Sequence, residues 1–149
     1  MELLRGGDGS GLERLVAERA AAVRHLQGRL WDPEASIRRR AAEALAAAAQ
    51  AHPERGRDLL RRLLWALNDE SATNGRYAVP ALAEIGVRCP TLIEPFVGSM
   101  VRLLEDDGLR PALLDALRRI GRAAPGVVVP YRGLIRLYAG GEWEVDDGA

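Results

Sequence analysis

The stretch Asp32-Pro33-Glu34-Ala35-Ser36-Ile37-Arg38-Arg39-Arg40-Ala41-Ala42-Glu43-Ala44-Leu45 decides the fold. An Asp-Pro pair stops one helix and starts the next, because proline fits the first helical turn, where its missing N–H is not needed. Beyond it Ile37, Ala41, Ala44, Leu45 and Ala48 recur at steps of three and four residues, which places them on one helical face. Arg38, Arg39, Glu43 and Gln50 fall elsewhere on the surface. The spacing predicts a helix from about Glu34 to Gln50, closed by His52-Pro53.

Working outward, the pattern repeats. Ala44-Leu45, Ala81-Leu82 and Ala116-Leu117 are each followed by Ala48, Ile85 or Ile120 and then by Ala49, Gly86 or Gly121, at spacings of 37 and 35 residues. Acidic turns recur at Asp32, Asp69 and Asp106. Pro95-Phe96-Val97-Gly98-Ser99-Met100 matches Pro130-Tyr131-Arg132-Gly133-Leu134-Ile135 at a spacing of 35. A fixed period of this size with helical periodicity inside each unit marks an α-solenoid, in which each unit is a first helix, an acidic turn and a second helix.

First helices are expected over about 11–31, 55–67, 92–105 and 130–139, and second helices over about 34–50, from near Val79, and over 109–122. Ser10 with Glu13 has the spacing of a capping box for the first of them, and Leu59, Leu60, Leu63, Leu64 and Leu67 form the stripe of the 55–67 helix. Pro80 would interrupt a copy of the 34–50 helix, so the equivalent helix starts near Val79 with Pro80 in its first turn, and Asn68 to Ala78 becomes a polar loop. The last unit has no second helix. The chain reads as three and a half units: a flexible 1–10 segment, a repeat domain over 11–139 and an acidic tail over 140–149.

The Asp32–Leu45 stretch resembles the second half of a HEAT repeat, in particular the bacterial HEAT-like repeats of phycobilin lyases. The likeness covers roughly residues 12–139. It implies an all-α solenoid of about three and a half helical hairpins, with the second helices lining a concave face. It also implies a ladder in which a turn Asp and a helix Arg bond across neighbouring repeats. Asp32 with Arg38 and Asp106 with Arg110 hold these positions, whereas Asp69 faces Gly75 at the Arg position, so the ladder is incomplete in the middle unit. The segments 65–71 and 79–85 also resemble a small HEAT-like family of anaerobic bacteria. Such repeats serve many functions, so the likeness is informative for fold alone.

Composition narrows the possibilities. Hydrophobic residues make up 48% and charged residues 28%, the balance of a globular domain. Basic and acidic residues number 21 each, and every basic residue is Arg. Genomic base composition is one reading of the Arg bias; the other is bidentate recognition of carboxylate or phosphate. Zero net charge argues against strong non-specific nucleic-acid binding. A lone Cys89 leaves no intramolecular disulfide or multi-cysteine metal site, and no secretory signal or apolar span is present, which points to the cytoplasm and away from the membrane.

Catalytic inventory is thin. His25 and His52 have no partner at catalytic or metal spacing, Cys89 has no His at motif spacing, and Gly6-Gly7-Asp8-Gly9 lacks the strand and Lys of a phosphate loop. No enzyme activity, cofactor or metal is expected.

Binding is expected instead on the second helices, where Arg39 aligns with Arg76 and Glu84 with Arg119. These, with Tyr77 and the loop residues Asn68, Asp69 and Glu70, form the candidate partner site. The bland alternatives are a solvated charged face and an insertion held by local side-chain bonds. The expected partner is a protein or peptide. Nucleic acid held by Arg rows is the alternative, and the lyase-like repeat adds an accessory role beside a cofactor-handling enzyme. Trp31 and Trp65 close the first helices of units one and two and are expected to pack rather than to stack on a ligand. Trp143 either folds back as a terminal cap or belongs to a disordered tail.

Overall fold

The structure, a computed structural model, describes residues 20–68, 75–140 and Trp143. The 1–10 segment, the Ser10–Glu13 capping box, Asp69, Glu70 and the acidic tail apart from Trp143 lie outside the described residues. Those described form helices and turns, with no strand among them.

The helices are α1 (Ala20–Arg29), α2 (Ala35–Ala51), α3 (Pro53–Asn68), α4 (Val79–Arg88), α5 (Pro90–Arg102), α6 (Arg110–Ala123), α7 (Pro125–Val128) and α8 (Arg132–Ala139). Single 3-10 turns at Arg76–Ala78, Leu103–Glu105 and Val129–Tyr131 lead into or out of them. Pro53, Pro80, Pro90, Pro111 and Pro125 all stand in the first turn of a helix, where the missing N–H leaves no intrahelical bond unmade. The third and fifth helices therefore begin at Pro53 and Pro90 rather than near Arg55 and Leu92. The helix expected from Pro130 to Ala139 is α8, which begins two residues later because Pro130 and Tyr131 belong to the 3-10 turn ahead of it; α7 is a short helix before that turn.

The sequence period is also a backbone period. One residue separates α2 from α3, α4 from α5 and α6 from α7: His52, Cys89 and Ala124, with φ/ψ of −134/82, −132/70 and −149/83. Each donates its N–H to the carbonyl four residues back, on Ala48, Ile85 and Ile120, at 2.9, 2.7 and 2.8 Å. Each precedes a proline, which holds the preceding residue in extended backbone and so fixes the corner.

Helices α2, α4 and α6 pack side by side in one layer; α3 packs against α2 and α5, and α7 joins α5 to α6. The core runs along this seam. Ala41, Ala44, Ala48, Leu45, Leu60, Leu63, Leu82, Ile85, Ile93, Leu117 and Ile120 are all buried. Among the described residues no charged or polar side chain is buried, and no buried polar atom lacks a partner.

Small residues set the helix spacing. A Cβ at Gly86 would lie 2.6 Å from Ile120 Cδ1 and Cγ1, so α4 and α6 approach as closely as they do because this position has no side chain. At the C-terminal end Gly140 adopts φ +69, the left-handed conformation that ends a helix and that glycine enters at no steric cost. Trp143 is 4% exposed, and the Arg118 guanidinium lies 5.5 Å from its ring. Trp143 is thus buried, but the cation–π contact it makes is with α6 rather than with the last helix, whose Leu134 and Leu137 stay exposed.

Candidate functional site: an arginine-lined cleft on the second helices

The expected ladder is built differently from its expectation. Asp32 Oδ1 accepts the Glu34 N–H at 2.9 Å, and Arg38 Nη1 donates to the Asp32 and Pro33 carbonyls at 2.7 and 3.1 Å. Asp106 Oδ1 accepts the Gly108 N–H at 2.8 Å, and Arg110 Nε donates to the Leu104 carbonyl at 2.7 Å. Each Asp folds its own turn and each Arg ties its helix back to that same turn. Bonds within a unit thus replace the bonds expected between units, because the Arg side chain curls back onto the nearest unpaired carbonyls.

Arg38 and Arg110 reach the next unit through aromatic rings instead. The Arg38 guanidinium lies 5.0 Å from the Tyr77 ring centroid, and Arg110 lies 5.1 Å from that of Tyr138, within cation–π range. In the middle unit a Cβ at Gly75 would be 3.2 Å from the Ala66 carbonyl oxygen and Leu67 Cα. That close approach accounts for the absent arginine there.

Around Tyr77 the structure opens a cleft of about 400 Å³, lined by Ala35, Arg38, Arg39, Ala42, Tyr77, Pro80, Glu84 and Arg119. Ala35, Arg38, Arg39 and Ala42 are one face of α2 at steps of three, one and three residues. Pro80 and Glu84 come from α4, and Arg119 from α6. The cleft therefore lies across the layer of second helices. Ala35, Ala42, Pro80 and the Tyr77 ring give it apolar lining beside the guanidinium groups.

Those groups differ in how committed they are. Arg119 Nη2 donates to Glu84 Oε1, which ties α6 to α4. Arg38 is engaged with its own turn. Arg76, exposed on the 3-10 turn, lies 5.1 Å from the Tyr77 ring and donates from Nη2 to the Tyr77 hydroxyl at 3.3 Å. Arg39 is exposed and makes no hydrogen bond or ion pair among the described residues. The cleft lining thus holds three guanidinium groups, Arg38, Arg39 and Arg119, and one carboxylate, Glu84, that is already matched, while Arg76 stacks on the Tyr77 ring. The Arg76 hydrogen bond, then the Arg76 and Arg38 charges, hold the Tyr77 phenol below its ordinary range.

Arg39, Tyr77, Glu84 and Arg119 therefore share one cleft, with Arg76 at its edge. Asn68 does not join them; its Nδ2 donates to the Leu64 carbonyl at 3.0 Å and closes α3. Asp69 and Glu70 fall outside the described residues. Arg38 belongs to the cleft as well as to its turn, a double duty that its position in the helix period alone does not announce.

Elsewhere, burial pushes the Cys89 thiol up against the opposing charge of Arg88, as for an inert half-buried thiol. Among the described residues no three His, Cys, Asp or Glu side chains gather to hold a metal ion. No helix among them is long and apolar enough to cross a membrane. Trp31 packs against the core, whereas Trp65, expected to pack, is 72% exposed. The last turn of α3 rotates it to the middle of the face opposite Leu60, Leu63 and Leu67.

The chain matches no protein-family model, no curated protein and no solved structure.

Proposed function

We propose that this chain is a non-catalytic HEAT-like repeat protein of the cytoplasm, an α-solenoid that holds an acidic segment of a protein partner in the cleft between its second helices. One observation carries the reading: Arg39, which makes no hydrogen bond or ion pair among the described residues, lines one cleft with Arg38, Arg119 and the apolar Ala42, Tyr77 and Pro80. Guanidinium is planar and always charged, and it pairs with carboxylates through two parallel hydrogen bonds. The Tyr77 ring and Pro80 offer the surface that the aliphatic part of a neighbouring peptide residue covers. The recurrence of the one-residue corners at His52, Cys89 and Ala124 supports the repeat reading.

The test is fluorescence anisotropy with a labelled Asp/Glu-rich peptide and its Asn/Gln counterpart. The acidic peptide binds and the neutral one does not. Arg39→Ala with Arg76→Ala lowers the affinity by about tenfold or more, since a hydrogen bond to a charged group contributes roughly 1.5–3 kcal/mol. The circular dichroism of the variant stays that of the parent. Equal affinity for both peptides, or no loss in the double variant, would dismiss the site.

A further inference from the structure

A second surface lies on the other layer of the molecule. Helix α3 buries Gly56, Leu59, Leu60, Leu63, Leu64 and Leu67. The opposite face centres on Trp65, which is 72% exposed. One turn before it stand Arg61 and Arg62, and two to three turns before it Arg57 and Arg55, all four exposed. Four residues of helix rise about 6 Å, so this stripe is roughly 15 Å long.

The arginines outnumber the carboxylates on this face, which are Glu54 and Asp58. Arg61 is held by Asp58 at 2.9 Å. Arg55, Arg57 and Arg62 make no hydrogen bond or ion pair among the described residues. Arg24 of α1 adds to the patch: with Val23, Arg55, Asp58 and Arg62 it lines a depression of about 110 Å³. An indole this exposed on a stable helix contributes nothing to the core, and its neighbours are cations rather than other apolar groups.

We infer that this face binds single-stranded nucleic acid, with Trp65 stacking on a base and the flanking arginines pairing with phosphates. Every base has a π-face and every strand carries regularly spaced phosphates, so an aromatic ring flanked by guanidinium groups takes a strand without reading its sequence. A duplex hides its base faces, which leaves the indole unused. A lipid surface fits less well: membrane adsorption needs a broad apolar face, and Trp65 is the one exposed large apolar side chain on α3, the others being Leu134 and Leu137 on α8. Stacking and phosphate pairing are common to both strand types, so ribose and deoxyribose strands are treated alike. The inference is independent of the cleft on the second helices; together the two surfaces make a bridge between a protein and a strand.

Intrinsic fluorescence tests it on the full chain. Oligothymidylate at low salt quenches the exposed Trp65 emission saturably, and oligouridylate does so with near-equal affinity. Log affinity falls with log salt at a slope of about −2, as for three phosphate contacts at roughly −0.7 each. Trp65→Leu abolishes the quenching and, read by anisotropy of a labelled strand, lowers affinity about tenfold; Trp65→Tyr keeps most of it. Arg61→Ala with Arg62→Ala flattens the salt slope, and Arg39→Ala leaves binding unchanged. The inference is overturned by an absence of quenching at low salt, by quenching that survives Trp65→Leu, by equal or tighter binding of a duplex, or by binding to phosphatidylserine vesicles and not to the strands.

Discussion

Arg119 on α6 donates to the carboxylate of Glu84 on α4, thirty-five residues earlier in the chain. The two positions are one repeat apart, so the pair joins equivalent places on successive second helices. It also sits in the cleft wall, where Glu84 competes with any incoming carboxylate for the Arg119 guanidinium. Replacing Glu84 by Gln removes that internal competitor. Affinity for an acidic peptide then rises by roughly threefold to tenfold, while Arg119→Ala lowers it by a similar factor. Stability changes by less than about 1 kcal/mol in either variant, because both side chains are partly solvated and such pairs are weak. A titration of the Glu84→Gln protein that shows weaker binding contradicts this competition.

The Gly86 position is a packing limit between α4 and α6. An added Cβ would stand 2.6 Å from two atoms of Ile120, and Ile120 is fully buried. Gly86→Ala is therefore predicted to destabilise by about 1–3 kcal/mol through overpacking, although alanine is the better helix former by roughly 1 kcal/mol. Ile120→Val in the same chain recovers part of the loss. Urea denaturation of the single and double variants measures both effects.

The Tyr77 phenol gives the cleft a spectroscopic handle. Its hydrogen bond from Arg76 and the charges of Arg76 and Arg38 lower its pKa, and Arg76→Ala moves it back up towards the ordinary value. A folded-state pKa below the unfolded one stabilises the fold only at alkaline pH: the contribution is complete above the unfolded value, near 10, and is lost as pH falls through the lowered one. Near pH 7 it is absent. Ultraviolet titration of the phenolate band, with Tyr77→Phe to identify the component, shows the Tyr77 phenol titrating earlier in the parent than in Arg76→Ala. An unchanged curve in that variant would show that Arg76 does not act on the ring.

Much of this architecture is legible in the chain. Prolines in first turns, apolar steps of three and four, and the recurrence at Ala48, Ile85 and Ile120 specify helices and corners, since these features act locally. Pro80 placed the start of α4 at Val79. What resists reading depends on side-chain direction. Arg38 and Arg110 bond their own turns instead of the next unit, because a long flexible side chain reaches several carbonyls and sequence alone does not choose among them. Trp65 follows a leucine-rich run, yet one residue of helical rotation carries it out of the buried stripe. The alignments of Arg39 with Arg76 and Glu84 with Arg119, with Tyr77 beside them, named residues that the fold gathers around one cleft; the participation of Arg38 needed the tertiary fold.

The most direct test of the central claim is a two-dimensional amide NMR titration of the full chain with an acidic peptide. The account predicts saturable shifts confined to residues 35–42, 76–84 and the neighbourhood of Arg119, reduced by added salt and lost in Arg39→Ala with Arg76→Ala. Shifts centred on another face, or none at millimolar peptide, would contradict it.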